Sequence, residues 1–495
     1  MSTTIRTITL AVCCFFTVST QAQKNVFLER EYWKASPDAA KVESDIKAGN
    51  NPSAMTSAAF DATVYAIIEK APDATVHFLL TQPGNDVNKI MHDGRTYIFW
   101  AAYVGNTDLM EYLQKKGAKT DIVEDHGYTI ANFAAATGQT NTKVYDLCQK
   151  FGANFKKDLD HEGANALLLV ATGAKDMTLI DYFTSKGLDL KSKDSHGNGV
   201  LNYVAKGGNR ELMETLLKKG ATFTDNAMIM AAQGTRSNTN TLETYKFLES
   251  KGVKPNAKGE NGENALHYIV RKDKQNETVN YFLSKGLDVN QTNKDGNTVF
   301  IAAAGSNGDI QLIKLLSEKV KNINATNAKG QSALALAVQN NSPEIVTFLI
   351  EKGADIKVAD IDGNNLTYYL AQSYNTKKAT DFEAKLKSLQ AKGLDVSSAQ
   401  KNGNTLYHLA VAKNDLSLLK RANELNVDIN KKNAENMTAL HKAAMNAKND
   451  EVLKFLISAG AKTTEKTDMN ETAYDLASEN EALKKDKISI EFLKS

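Results

Sequence analysis

The sequence predicts an all-α repeat protein of about 13 helix-turn-helix units stacked along the chain. The first observation is a Gly followed by a small apolar residue, which recurs mostly every 32 to 35 residues, at Gly117, Gly152, Gly187, Gly220, Gly252, Gly286, Gly353, Gly393 and Gly460. The second is the unit between these glycines, which is clearest from Asn327 and from Asn433. It reads as a turn, a short apolar helix, a polar turn and a second, amphipathic helix. A fixed period over most of a chain indicates a repeat architecture.

A second glycine opens each unit, as in Asp93-Gly94 and Asp295-Gly296, and predicts a short β-hairpin finger with a tight turn at φ > 0. Asn436 replaces it in one of the units, and asparagine tolerates that conformation. The sixth residue after the turn is predicted to lie in the seam between stacked units. This row consists of Trp100, Phe133, Leu169, Tyr203, Tyr268, Leu336, Tyr369 and Leu409.

These units resemble ankyrin repeats. The run Met437-Thr-Ala-Leu-His-Lys-Ala-Ala444 is similar to the family's Thr-Pro-Leu-His pattern with its Ala pair, and looser matches end at His267 and His408. The resemblance implies an ankyrin-repeat solenoid that serves as a binding scaffold. It also implies that the imidazoles of His267, His408 and His441 form hydrogen bonds within their own turns and join neighbouring fingers.

The ends of the chain predict an exported protein with polar caps. Residues 1–22 read as a signal peptide with Arg6 before an apolar stretch, and we expect cleavage after Ala22. An N-terminal membrane anchor is disfavoured by the length of this stretch, and lipidation at Cys13 stays open as an alternative. Residues 23–52 are predicted to be an N-terminal capping unit and 467–495 a C-terminal capping unit, whose last helix is expected from Lys484 to Leu493.

Between the caps, we expect two stacks of repeats, 53–224 and 225–466, because the finger before Asp225 is almost deleted. Polar residues are inserted at 234–240, and the unit that opens at Gly363 is lengthened near 373–382. Insertions in a solenoid map to loops on one face and sometimes mark a binding region, but exposed loops also lengthen at little energetic cost. The sequence leaves both interpretations open.

Composition narrows the classes of partner. The 60 Lys and Arg against 58 Asp and Glu are interspersed, which argues against a nucleic acid as the main partner. No segment after residue 22 has the 18 or more continuous apolar residues of a membrane span, so we expect no membrane insertion of the mature chain. Cys148 is the only cysteine outside the predicted signal peptide and is expected to pack as a small apolar side chain.

No catalytic motif is present: the G-x-S-x-G, phosphate-loop and H-E-x-x-H patterns are all missing, so we expect no enzyme activity and no cofactor. Four histidines precede successive turn glycines, at His92, His126, His161 and His196. Such a ladder can bind metal or sense pH, but no cysteine or fixed carboxylate pair completes a zinc site. We therefore interpret these histidines as solvated finger-tip residues and predict no metal ligand.

The predicted function is to bind another protein on the concave face formed by finger tips and first helices. Six residues are predicted to be exposed there: Arg95, Tyr103, Tyr128, Lys206, Arg271 and Gln339. We expect a monomer in the periplasm or secreted from the cell. A secreted effector that binds a host or competitor protein is the alternative, followed by a metal or small-ligand binder at the finger-tip histidines.

Overall fold

Short helices follow one another in pairs through residues 25–236 and 238–494, which the computed structural model describes. These residues contain 28 α-helices, four short 3₁₀ helices and no β-strand, and the predicted all-α repeat fold is confirmed. None of these helices has the length and apolar character that crossing a bilayer requires. The predicted signal peptide, the cleavage site after Ala22 and Cys13 lie outside the described residues, as does Ser237 in the first insertion.

The chain divides into two compact units. Unit 1 comprises residues 25–204 and 211–222, and unit 2 comprises 205–210, 223–236 and 238–494. The ten helices that lie wholly before this division are α1 Arg30–Lys34, α2 Ala39–Lys47, α3 Ala62–Ile68, α4 Asp73–Leu80, α5 Tyr97–Val104, α6 Thr107–Lys115, α7 Ile130–Ala136, α8 Thr142–Lys150, α9 Ala166–Ala171 and α10 Thr178–Ser185. The division passes through α11 Val200–Gly207 and α12 Arg210–Lys218.

Unit 2 continues the alternation of first and second helices. Its helices are α13 Asn226–Gln233, α14 Leu242–Ser250, α15 Leu266–Ile269, α16 Asn276–Ser284, α17 Val299–Ala304, α18 Ile310–Ser317, α19 Ala333–Asn340, α20 Pro343–Glu351, α21 Leu366–Ser373, α22 Ala379–Gln390, α23 Leu406–Ala412, α24 Leu416–Glu424, α25 Ala439–Asn446, α26 Glu451–Ser458, α27 Ala473–Glu479 and α28 Glu481–Lys485. The subdivision into two capping units and two stacks stays a prediction.

First and second helices differ in how much of their surface is buried. All six residues of α9 are buried, whereas α10 buries only Leu179, Ile180 and Phe183. The first helices therefore lie in the core, and the second helices cover it with one apolar face. The predicted seam is confirmed, since six of its eight residues are buried and Tyr268 and Leu336 are half-buried.

The fingers are tight turns rather than hairpins with regular strands. One backbone hydrogen bond closes each turn. The N–H of the residue three positions before the turn glycine donates to the carbonyl of the residue that follows the glycine, as Glu124 does to Tyr128 at 3.0 Å. Isolated antiparallel bridges extend three of the described fingers. Gly127 has φ of 83°, and a Cβ there would come within 2.4 Å of the His161 ring on the next finger. Glycine is thus required both by the turn and by the close approach of the neighbour.

Side chains from one repeat satisfy the helix ends of the repeat before it. Asn341 Nδ2 donates to the carbonyls of Ala304 and Asn307, both at 2.9 Å, at the end of α17. Lys413 uses its ammonium group in the same way and donates to the carbonyl of Ala371 at 2.8 Å. The last carbonyls of a helix have no partner within that helix, so α17 and α21 depend on the repeat that follows each of them.

The capping histidines behave as the resemblance implies. Nδ1 of His408 accepts the Thr405 backbone N–H at 3.2 Å, and Nε2 donates to the Met437 carbonyl of the next finger at 3.0 Å. His267 and His441 make equivalent bonds. Each ring is therefore neutral and holds two fingers together.

Two further expectations concern Cys148 and the end of the chain. Cys148 is buried on α8, and burial raises its pKa to about 12, so it packs as a small apolar side chain as predicted. The final helix predicted from Lys484 to Leu493 is wrong. Helix α28 ends at Lys485 because Lys487 adopts a left-handed φ of 52°, and only a 3₁₀ turn, Glu491–Leu493, follows.

We predict that acid destabilises the chain through its capping histidines. Burial lowers the pKa of His408 and His441, whereas the unfolded chain binds these protons near the ordinary histidine value of about 6.5. The stabilisation by neutral rings is complete above that value and is lost as the pH falls towards the lowered pKa values of the folded state. The melting temperature should therefore drop between pH 7.5 and pH 5.5.

The test compares melting curves at the two pH values for the parent chain and for His408→Asn with His441→Asn. The double variant should melt lower at pH 7.5 and show a smaller drop on acidification. His161→Gln is the matched control, because this histidine is exposed at a finger tip. If the melting temperature of the double variant falls on acidification as much as that of the parent chain, the capping histidines are not the cause of the acid sensitivity.

Candidate functional site

The six predicted site residues occupy two register positions. Arg95 and Tyr128 come directly after a turn glycine, and the other four come nine residues after one, towards the end of a first helix. Arg95, Tyr103 and Tyr128 belong to unit 1, and Lys206, Arg271 and Gln339 belong to unit 2. The two positions differ in direction. The residue directly after the glycine points into the repeat stack, and the residue nine positions after it points towards the surface of the stack.

Arg95 is buried, and its predicted exposure is wrong. Only 7% of the residue is exposed, and its guanidinium donates to Glu124 on the next finger and to Asp93 at 3.0 Å. The same group lies 4.4 Å from the ring centre of Phe133. Glu124 is fully buried and needs a cation, which draws the arginine inwards. Arg95 therefore ties two repeats together rather than contacting a partner.

Tyr103 is exposed over 40% of its surface, as predicted. Its ring lies edge-on to the buried Trp100 and is tilted against Phe133, with both centroid distances at 6.1 Å. Trp100 also packs against Phe60 of the preceding repeat. A large aromatic side chain with one face supported by buried rings and the other open is typical of the anchors that dominate protein interfaces.

Tyr128 is half-buried and stacks near His126, with ring centroids 6.4 Å apart. Burial raises its pKa, so the hydroxyl stays protonated at neutral pH and can donate a hydrogen bond. Arg95 approaches His126 Nδ1 at 3.5 Å, which places the three predicted residues of unit 1 around one aromatic and ionic cluster. Of the three, only Tyr103 is exposed.

Of the predicted residues of unit 2, Lys206 and Gln339 lie on their first helices, α11 and α19, whereas Arg271 lies two residues after the end of α15. Arg271 is exposed, whereas Lys206 and Gln339 are half-buried. Burial lowers the pKa of Lys206. Sequence reasoning missed Met445, which follows Asn436 by nine residues and is 44% exposed. Met445 could have been predicted from the same register position as Arg271, which also follows its turn residue by nine.

The finger-tip histidines have separate environments. His126 Nδ1 lies 3.1 Å from Glu124, and His196 contacts Glu162 on the preceding finger. Within the described residues, the only group of three potential metal ligands is Asp93, Glu124 and His126, whose ligand atoms lie within 4.8 Å of one another. Arg95 already donates to both carboxylates of this group, so a metal ion would have to displace a buried guanidinium. The arrangement therefore fits an ionic link between fingers better than a metal centre.

Sequence reasoning also missed three exposed aliphatic residues on consecutive fingers of unit 1. Ile90, Val123 and Leu159 each precede a turn glycine by four residues. Reading the fingers in register, rather than the helices, is the signal that would have found them.

We predict that Arg95 contributes to stability rather than to binding. Arg95→Met leaves the buried Glu124 carboxylate without its cation and should cost on the order of 3–5 kcal/mol. Arg271→Met, at an exposed position, should change stability by less than about 0.5 kcal/mol. Urea denaturation followed by circular dichroism measures both variants, and equal midpoints would contradict the role assigned to Arg95.

Comparisons with known proteins identify the repeat. A model of ankyrin repeats matches residues 64–158, 266–360 and 378–484. The chain is 25% identical over 187 residues to a homologue of transient receptor potential cation channel subfamily A member 1 from Caenorhabditis elegans, covering 38% of this chain and 15% of that protein. It is 34% identical over 115 residues to a putative ankyrin repeat protein of Rickettsia bellii, covering 23% of this chain and 15% of that protein.

A putative ankyrin repeat protein of fowlpox virus is 30% identical over 112 residues, with 23% of this chain and 19% of that protein covered. The chain thus spans less than a fifth of the length of each of these curated relatives. Among solved structures, the ankyrin repeat domain of Bcl-3 is 22% identical, covers 44% of this chain and 95% of its own, and aligns with a TM-score of 0.34. Since the three matched stretches together make up more than half of its 495 residues, the chain belongs to the ankyrin-repeat family.

Proposed function

We propose that this chain is an exported, non-enzymatic scaffold that binds a partner protein. The partner docks on the face formed by the finger turns and the exposed ends of the first helices. Tyr103 anchors the partner in unit 1. Ankyrin repeats are in general protein–protein interaction domains, which sets the class of function.

The supported ring of Tyr103 is the observation that carries the proposal. A tyrosine that leaves 40% of its surface open exposes considerable apolar area, and the rings of Trp100 and Phe133 hold it in place. Rigid aromatic side chains lose little conformational entropy on binding, so they contribute more to affinity than flexible ones. The ionic link of Arg95 to Glu124 fixes the two repeats that carry this cluster.

Export is the second part of the proposal. It rests on the charge and apolar pattern of residues 1–22, with cleavage expected after Ala22. A chain released in this way would meet its partner in the periplasm or outside the cell. The second location corresponds to an effector that binds a host or competitor protein, and fractionation of the producing cells distinguishes the two.

The test is capture from the native envelope fraction with the mature chain, from Gln23, as bait. One stoichiometric partner is expected. Tyr103→Ala should weaken its capture about tenfold, because the anchor ring is removed at the centre of the face. The matched control is Tyr112→Ala, which removes a tyrosine from the second helix of the same repeat, where it stacks on His77 at 3.6 Å.

Equal capture by the parent chain and Tyr103→Ala would contradict the proposed face. Arg271→Ala then shows whether unit 2 contributes to binding. An empty capture from the envelope together with the protein in the culture medium would move the assignment to the secreted effector.

A further inference from the structure

Three consecutive fingers of unit 1 expose an aliphatic side chain at the same register position. Ile90, Val123 and Leu159, here called the apolar finger row, are exposed over 59%, 56% and 46% of their surface. Each lies four residues before its turn glycine. In unit 2 the same position holds small, polar or basic residues, namely Lys258, Thr292, Thr326, Ala359, Ala399, Lys432 and Lys466. The next finger of unit 1 has Lys193 at this position, so the row is confined to these three consecutive fingers and is not a property of the repeat in general.

Hydrogen bonds between adjacent fingers make the row continuous. The N–H of Asp125 donates to the carbonyl of Asp93 at 3.0 Å, and the N–H of Lys119 donates to Asn88 Oδ1 at 2.8 Å. The third finger is as close, since the His161 ring lies against Gly127. The three aliphatic side chains thus stand on fingers that touch one another.

An opening lies beside the middle of the row. Val123 lines a cavity of about 270 Å³ together with Ile130, Phe151 and Ala153. Its polar lining includes Asp121. The cavity has room for an apolar side chain of a partner beside the row. Exposed apolar side chains grouped beside such an opening are typical of interaction sites.

The turns next to the row are acidic. The three turn segments of these fingers, 91–95, 124–128 and 160–164, contain one basic residue, Arg95, and five carboxylates: Asp93, Glu124, Asp125, Asp160 and Glu162. Of these carboxylates, Asp125 and Glu162 are exposed. Unit 1 as a whole has 20 Lys and Arg against 25 Asp and Glu, whereas unit 2 has 38 against 33. Counting histidine as neutral, the net charges are −5 and +5. The apolar finger row is therefore part of the acidic unit.

We infer that the apolar finger row and the acidic turns beside it bind an amphipathic, basic segment of a partner protein. Aliphatic side chains of that segment cover Ile90, Val123 and Leu159, and its Lys or Arg side chains face the exposed carboxylates of Asp125 and Glu162. The inference rests on the proposed function and adds the chemistry of the partner. Apolar contacts supply most of the affinity, and charge complementarity supplies selectivity and the rate of association.

The experiment uses the full mature chain and two fluorescein-labelled peptides. One is an amphipathic peptide of Leu and Lys, and the other has Glu in place of every Lys. Fluorescence anisotropy at low salt should show at least tenfold tighter binding of the Lys peptide, roughly as expected for complementary charges at an interface. Val123→Ser with Leu159→Ser should weaken that binding by about tenfold, because two apolar contacts are lost.

The matched control is Ala359→Ser with Ala399→Ser, which introduces the same residue at the same register position in unit 2. It should leave binding unchanged. A second pair tests charge: Asp125→Asn with Glu162→Gln should weaken binding of the Lys peptide about threefold and make it less sensitive to salt. Its control, Asp362→Asn with Asp468→Asn, removes two exposed turn carboxylates of unit 2 and should have no effect.

Equal binding of the two peptides, or binding of neither, would overturn the inference. So would equal losses in the unit 1 variants and their unit 2 controls. Sedimentation of the chain alone tests whether a second copy of the chain occupies the row instead. If the parent chain is a dimer and the Val123→Ser with Leu159→Ser variant is a monomer, the row is the contact between two copies. If this double variant still captures the envelope partner at full strength, the proposed function stands and the inference fails.

Discussion

Side chains of one repeat complete the hydrogen bonding of the repeat before it at most of the first helices, and the rest of the molecule depends on this constraint. The carbonyls at the end of a first helix have no partner within that helix, and a side chain such as Asn341 or Lys413 of the next repeat reaches back to them. The finger turns obey the same rule through backbone bonds, such as that from Ala328 to Asp295 at 2.8 Å. A repeat removed from its neighbours would leave these groups unsatisfied, so stability is shared between adjacent units.

This division of roles explains which residues are free to recognise a partner. Residues that point along the stack are occupied by neighbours, as Arg95 is by Glu124 and Phe133. Residues that point away from it, such as Tyr103 and Val123, keep 40% and 56% of their surface exposed. The two units therefore differ in the charge and the exposed aliphatic residues of their surfaces, while their fold is the same. Binding chemistry can change from repeat to repeat while the core stays the same.

The architecture could be predicted from the sequence because the roles of its glycines and capping histidines depend only on residues close to them in the turn and in the next finger. A turn needs φ > 0 whichever repeat surrounds it, and His408 finds its partners within its own turn and the next finger. The seam row was predictable for a similar reason, since its spacing places it on the buried face of every first helix.

The candidate site was only partly predictable, because exposure depends on what the neighbouring repeat places opposite a residue. Arg95 and Tyr103 were both expected at the surface, and only a buried carboxylate at Glu124 distinguishes them. That carboxylate lies 29 residues further along the chain, where no local pattern connects the two. The end of α28 was missed because Lys487 adopts a left-handed conformation that its residue type does not announce.

The most direct measurement is hydrogen–deuterium exchange of the full mature chain, alone and bound to its captured partner. In the bound chain, we expect slower exchange at the finger turns of unit 1, 91–95, 124–128 and 160–164, and near Tyr103 at the end of α5. The turns 293–297 and 327–331 of unit 2 should exchange at the same rate in both states. Protection confined to unit 2, or to the second helices, would contradict the assignment of the binding face.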